Sequence, residues 1–358
     1  MLNEDDKRRP SNAQLVEALT RLADMLKSDV NANQDPPLLS HYREIPDEVT
    51  KAYELLTQGA QMIHSTATKY TLVGKIDENE QKKLGADLLS GCELLGAATH
   101  AILQDSNGCA RAVRRATQRV TLAILLTVIQ LAAAFSDHTA LQENVGAQKT
   151  GAVWDSCDKI LNRLVPQGNR NAIRRELFTW TRETNDSMEE FQEMIDRGPS
   201  EDASNDEMGE AFDDLFGDDD DRFSLSDLPV AKACLGILKC SRGAMKLTLD
   251  VLEDLGSKYA ATHDETILEK ISFVHHSARL VGEGVTDLGS SMYPPLLPDT
   301  RDLESQVQKH AENMAGLLDH VLGTAGLAQS VNELAHVLQV AVETRRNEFN
   351  QAIYEGKR

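Results

Sequence analysis

Apolar residues recur every three or four positions along most of the chain, the spacing that places them on one face of an α-helix. The first such segment follows Ser11, which we expect to cap a helix that carries Leu15, Leu19, Leu22 and Leu26. No segment longer than a few residues has the two-residue period of a β-strand. The predicted fold class is therefore all-α.

The pattern predicts six helical segments before an acidic stretch and four long ones after it. The six N-terminal segments run from Ser11 to a break at Asn31–Arg43, from Pro46 to about Tyr70, from about Glu78 to Leu103, from a turn at Asp105–Gly108 to about Phe135, from Asn144 to Pro166, and from about Asn171 to Ile195. The four C-terminal segments cover about Leu228–Leu255, Glu265–Tyr293, Leu303–Leu322 and Ala328–Tyr354. Four helices of this length with short connections favour an antiparallel bundle.

The stretch between the two groups differs in character. Residues 198–221 hold eleven Asp or Glu and no Lys or Arg, and such a segment favours a disordered linker because its charges repel each other. We therefore expect two helical bundles joined by an acidic linker. The predicted domains are a disordered N-terminus over 1–10, an N-terminal helical bundle over 11–197, an acidic disordered linker over 198–227 and a C-terminal four-helix bundle over 228–358.

One apolar run, Val120–Phe135, is a candidate membrane-spanning segment. It is 16 residues long, short of the ~20 residues that a bilayer requires, and it contains Thr121, Thr127 and Gln130. We interpret it as a helix that is buried on most sides inside a bundle.

Composition and charge narrow the set of partners. The net charge of −20 disfavours direct binding to nucleic acid and to anionic membrane surfaces, which both require clustered Lys and Arg. A basic protein surface is an easier partner. The five cysteines form no C-x-x-C pair, which indicates free thiols in a reducing compartment.

The familiar motifs of enzymes and metal sites are missing from the sequence. Gly282 and Gly284 lie inside a helical pattern, which favours tight helix packing over a dinucleotide site. His275 and His276 are adjacent and so point to different helix faces, where they cannot chelate a metal as a pair. We predict no enzymatic activity, no cofactor and no metal, and a function in binding other proteins.

A row of arginines is the first candidate for partner binding. Arg111, Arg114, Arg115 and Arg119 share one helix face by their spacing. They can form a solvated face, pair with acids of neighbouring helices, or dock an acidic segment, including this chain's own linker.

The acidic linker supplies the other candidates. Phe212, Leu215 and Phe216 interrupt the acids, and such mixing is typical of segments that dock on a partner. Ser200, Ser204 and Ser224 are each followed by an acid within three residues, which makes them possible phosphorylation sites.

Several short stretches, in this order, resemble the cyclin-D-binding protein family (GCIP/HHM/Maid-like). They are Val113–Thr117, Val153-Trp154 followed by Cys157, Ala231–Leu235, and Val285–Leu288 leading into Ser291–Pro295. The resemblance covers the chain from about residue 46 to the end and includes the acidic mid-chain segment.

The resemblance implies vinculin/α-catenin-like helical bundles that bind D-type cyclins and helix-loop-helix factors. It further implies negative regulation of the cell cycle and of transcription, in cytoplasm and nucleus. We expect a partner helix to lie in a groove between bundle helices, or a basic partner surface to meet the acidic linker. The alternative function is a cytoskeletal adaptor of vinculin/α-catenin type.

Overall fold

The computed structural model describes residues 10–36, 38–74, 76–104, 108–142, 144–199, 222–297 and 299–357. Within these ranges it has ten α-helices and no β-strand, so the predicted all-α class is confirmed. The helices are α1 Asn12–Lys27, α2 Asp47–Val73, α3 Glu78–Leu103, α4 Arg111–Ser136, α5 Val145–Leu161, α6 Gly168–Asp196, α7 Asp227–Thr262, α8 Glu265–Ser290, α9 Arg301–Leu322 and α10 Gln329–Gly356. Short 3-10 helices cover Val30–Asn33 and Thr139–Leu141.

Side-chain caps fix several helix starts. Ser11 and Gln14 form a capping box at α1, where each side chain accepts a hydrogen bond from the other residue's backbone N–H. Asp77 caps α3, and Asp264 caps α8. These side chains satisfy N–H groups that have no partner inside a helix, and they hold each helix to a defined first residue.

The first of two structural units spans Met1–Ile173 and contains α1 to α5. Helices α2 and α3 approach so closely that a Cβ built on Gly59 would lie 2.9 Å from the Gly91 carbonyl oxygen. Two buried threonine pairs add polar links, Thr71 to Thr150 at 2.6 Å and Thr99 to Thr121 at 2.7 Å. Both pairs satisfy hydroxyl groups that would be costly to bury alone.

Helix α4 carries the long apolar run of the first unit. In the described part of the chain it is the one helix long and apolar enough to span a membrane. It packs against α1, α3 and α5, and Ile124, Leu125, Val128 and Leu131 are fully buried. These four residues belong to the core of the first unit, whereas Leu126 in the same run is 52% exposed.

The second unit spans Arg174–Arg358, so most of α6 belongs with α7 to α10. Trp180 of α6 lies against Gly282 of α8, where an added Cβ would clash with the indole ring. Phe191 of α6 packs on Tyr293, with ring centroids 5.2 Å apart. The division thus falls inside α6, which differs from the predicted boundary at residue 197.

The predicted linker of 198–227 is also too long at its C-terminal end. Phe223 is fully buried, and Asp227 is 2% exposed and accepts a hydrogen bond from the Leu297 backbone N–H at 3.0 Å. Residues 222–227 therefore belong to the folded unit. The predicted disorder of residues 1–9 and 200–221 lies outside the described residues.

A buried polar contact ties α7 to α9 in the second unit. The Ser241 hydroxyl and His310 Nε2 are 2.7 Å apart, and both side chains are buried. Gly284 of α8 makes room for the ring, because a Cβ there would lie 2.6 Å from His310 Nδ1. Tight packing at Gly282 and Gly284 confirms the interpretation of these glycines from the sequence.

Candidate partner-binding groove

A groove with a volume of about 610 Å³ lies between α2 and the C-terminal end of α5 in the first unit. Its walls combine apolar and polar side chains from α2, from α5 and from the segments that flank them. The lining residues are Ile45, Thr50, Tyr53, Glu54, Leu56, Thr57, Gln58, Gln61, Ile160, Leu161, Arg163, Val165 and Gln167. We call this the α2–α5 groove.

Tyr53 holds the two walls of the α2–α5 groove together. Its hydroxyl donates a hydrogen bond to the Pro166 carbonyl at 3.1 Å and accepts one from the Gly168 N–H at 3.4 Å. Burial raises the pKa of Tyr53 above its ordinary value, so the phenol stays protonated and keeps its donor role. Gly168 has a φ of +75°, a conformation that glycine adopts without strain.

Trp154 lies nearly two helical turns before Ile160 on α5, where α5 faces His64 of α2. Its indole N–H donates to the His64 carbonyl at 3.2 Å, and the two rings stack with centroids 5.5 Å apart. His64 in turn lies 3.9 Å from an Asp158 oxygen. Although 37% exposed, Trp154 is held in one orientation by these contacts.

This arrangement suits the binding of a protein segment. From Thr50 to His64 the wall of α2 is about 21 Å long, enough for a helix of about 14 residues. Leu56 and Ile160 give an apolar floor, and Glu54 and Arg163 put opposite charges at the rim. A fixed, half-exposed Trp is the residue type most often found at the energetic centre of a protein interface.

The cysteines offer no nucleophile in the described residues. All five thiols are free and buried. Burial raises the pKa of Cys157 to about 12 and raises those of Cys92, Cys234 and Cys240 as well, which keeps these thiols protonated. They behave as small apolar side chains, in agreement with the expectation from the sequence.

Comparison with known proteins then gives the family. Residues 55–197 match the model of a family described as Grap2 and cyclin-D-interacting, N-terminal. A protein of Danio rerio named Cyclin-D1-binding protein 1 homolog is 26% identical over 303 residues, which cover 81% of this chain and 83% of that protein. A Xenopus laevis protein of the same name is 25% identical over 176 residues, 48% of each chain.

These matches support the cyclin-D-binding protein family for this chain. This confirms the resemblance seen in the sequence and supports a role in protein binding. The family model includes Leu56 and Gln61 on one wall of the groove and Ile160 and Val165 on the other, together with Trp154. The groove is thus built largely from the part of the chain that defines the family.

The predicted arginine face of α4 is largely buried at two of its four positions. Arg111 and Arg114 are only 8% and 6% exposed. Arg114 donates to the carbonyls of Asn31 and Gln34, both at 3.3 Å, so it ties α4 to the segment after α1. Arg111 and Arg114 are therefore largely inaccessible within the described structure, and partner binding by the arginine row stays a prediction. Arg115 is half-buried, and Arg119 is exposed.

Among the other predicted site residues, Ser224 lies in the described part of the chain. Ser224 forms a reciprocal pair with Asp227: its hydroxyl accepts the Asp227 N–H at 3.1 Å, and the carboxylate accepts the Ser224 N–H at 3.2 Å. Phosphorylation of Ser224 stays a prediction. The remaining predicted residues lie outside the described residues: Phe212, Leu215, Phe216, Ser200 and Ser204.

Sequence reasoning placed Trp154 among the apolar positions of α5 and missed its exposure. The signal was available, because Val153, Cys157 and Ile160 already define a buried stripe at helical spacing. A residue adjacent to Val153 must point about 100° away from that stripe. Trp154 therefore had to lie at its edge or outside it.

Proposed function

We propose that this chain binds a D-type cyclin in the α2–α5 groove and restrains cell-cycle progression and transcription by sequestering it. The observation that carries the proposal is the relationship to proteins named for binding cyclin D1, which extends over 81% of this chain. The groove supports it further, since an apolar floor between two polar rims suits one face of an amphipathic partner helix.

The same groove is the proposed site for helix-loop-helix factors. Their dimerisation helices are amphipathic, so they present the same kind of apolar face as the cyclin helix we propose. A regulator that acts on both partner classes would work in cytoplasm and nucleus, and we propose both locations. No catalytic step is needed, because occupying the partner's helix prevents its other contacts.

The first test is calorimetric titration of the full-length chain with a purified D-type cyclin, repeated with Trp154→Ala. We expect the substitution to raise Kd at least about tenfold, because it removes a fixed aromatic side chain from the interface. Phe178→Ala is the matched control: Phe178 is also an exposed aromatic residue on a helix, 50% exposed, but lies in the second unit. Its Kd should equal that of the unchanged chain.

Salt tests the mode of binding in the same titration. A complex held by the apolar floor should persist at ~0.5 M salt, where interactions between exposed charges are largely screened. Loss of the complex at this salt would point to the acidic segment instead. Equal affinity of Trp154→Ala and the unchanged chain would remove Trp154 from the proposed interface, and no binding of cyclin would remove the partner.

A further inference from the structure

A row of exposed lysines runs along α7 in the second unit. Lys232, Lys239 and Lys246 are all exposed and follow each other at intervals of seven residues. Seven residues return an α-helix to nearly the same direction, so the three ammonium groups share one face. None of them forms an ion pair with a carboxylate of the described residues. In a chain of net charge −20, this row is a concentrated positive surface; at its middle, Lys239 lines a pocket with Glu189 and Glu193 of α6 but forms no ion pair with either.

An exposed apolar stripe runs along α10 in the same unit. Leu334, Val337 and Val340 are 44%, 64% and 66% exposed and lie three residues apart. They are separate from the buried face of α10, which includes Ala335, Leu338 and other apolar residues. Three adjacent exposed aliphatic side chains on one helix are the kind of patch that a binding partner covers.

The lysine row and the apolar stripe border one surface groove, because α7 and α10 pack side by side. A Cβ on Gly243 would lie 2.8 Å from Leu338, and one on Gly236 would lie 2.7 Å from Arg345. Lys239 is about 60° around α7 from Gly236, and Leu334 is about 40° around α10 from Leu338. Val337 lies about 100° and Val340 about 160° around α10 from Leu338, so the stripe runs from the edge of the α7–α10 contact onto the outer face of α10.

The opposite flank of α10 is taken by α9. Gln339 donates a hydrogen bond to Asp319 of α9 at 2.9 Å. On α7, the flank beyond the α10 contact includes Cys240 and Ala244, which are buried. Lys239 and Leu334 therefore lie on the same side of the α7–α10 contact, and we call the surface between the lysine row and the apolar stripe the α7–α10 groove.

We propose that residues 201–221 of this chain dock in the α7–α10 groove. These residues lie outside the described part of the structure, and their sequence matches the groove in both respects. Eleven acids without a Lys or Arg complement the lysine row. Met208, Phe212, Leu215 and Phe216 supply apolar side chains for the stripe.

Chain length permits this contact. Residue 221 lies six positions before the first residue of α7, and Lys239 lies twelve positions into that helix, or about 18 Å along its axis. An extended chain covers this distance in about six residues. The 21 residues are more than enough to return along α7, and the tether gives them an effective concentration in the millimolar range.

The first test is zero-length carbodiimide cross-linking of the full-length chain, which joins a lysine amine to a carboxylate in direct contact. Mass spectrometry of the monomer should recover links from Lys239 and Lys246 to carboxylates of residues 201–221. Monomer in which both lysines link only to other carboxylates, or in which the segment links only to a second copy, would overturn the proposal.

The second test measures how tightly the α7–α10 groove binds residues 201–221 when they are supplied as a separate peptide. A labelled peptide of residues 201–221 is titrated into a full-length variant whose own segment is replaced by a Gly-Ser linker of equal length. We expect binding that weakens at least about tenfold in Lys239→Glu/Lys246→Glu and in Leu334→Ser/Val337→Ser. The matched control is Lys27→Glu/Lys69→Glu, which changes the net charge equally at two exposed lysines of the first unit and should bind as before.

Two further peptide titrations distinguish docking of residues 201–221 from binding of another segment or partner in the α7–α10 groove. The unchanged chain should bind the peptide at least about tenfold more weakly than the linker variant, because its own segment already fills the groove. A peptide with Phe212, Leu215 and Phe216 changed to Ser should also bind more weakly. If the unchanged chain binds as tightly as the variant, or if the serine peptide binds equally, the proposal is wrong.

Discussion

At the scale of single residues, the burial of His310 makes the free energy of unfolding depend on pH. Burial lowers its pKa from 6.5 to about 4, so the folded chain keeps the ring neutral beside Ser241. Between these two values the unfolded chain takes up a proton that the folded chain does not. The free energy of unfolding should therefore fall as pH drops below about 6.5, with the loss complete below about pH 4.

Urea unfolding can measure this loss. Trp154→Phe leaves Trp180, which lies in the second unit with His310, as the fluorescent reporter. We expect the second unit to lose about 2 kcal/mol between about pH 7 and pH 5 through His310. Adding His310→Gln should remove most of this slope, and an unchanged slope in that variant would show that other groups cause it.

Gly282 gives a second prediction at the residue scale. Its position against the Trp180 indole leaves no space for a methyl group, so Gly282→Ala should destabilise the second unit by about 1–3 kcal/mol. Gly316 in α9 is the matched control, because a Cβ there meets nothing within 4 Å. Gly316→Ala should stabilise the same unit by about 0.5–1 kcal/mol in the same urea experiment.

At the scale of elements, hydrophobic spacing and capping residues predicted the helices well. Ser11 and Pro46 marked the starts of α1 and α2, and α3 begins and ends at the predicted residues Glu78 and Leu103. These features could be predicted because they depend on neighbours within one or two turns of the chain.

The arginine face of α4 shows what local pattern could not give. Spacing places Arg111, Arg114 and Arg119 on one side of a helix, but it does not show what covers that side. Arg114 is buried and donates hydrogen bonds to the carbonyls of Asn31 and Gln34, which lie about 80 residues before it in the sequence. A contact of this kind depends on tertiary packing and is invisible to periodicity.

At the scale of the whole molecule, the boundary predicted from charge composition differs from the boundary between the two structural units. The acidic segment begins at residue 198 and marks a sharp change in composition, whereas the structural division falls at Ile173. The apolar face of α6, including Trp180 and Phe191, was recognised correctly as helical. Its sequence does not say which helices cover it, and those helices follow the acidic segment in the chain.

The placement of α6 has a consequence for a chain that a protease has cut. A nick within residues 200–221 would leave α6 on one fragment and α7 to α10 on the other, yet Trp180 and Phe191 pack against residues of the second fragment. The fragments should therefore co-elute in gel filtration after limited proteolysis and separate in denaturant. Such a nicked protein would behave as a two-chain complex, and a fragment that starts at residue 222 and is made alone should expose the apolar surface left by α6 and aggregate.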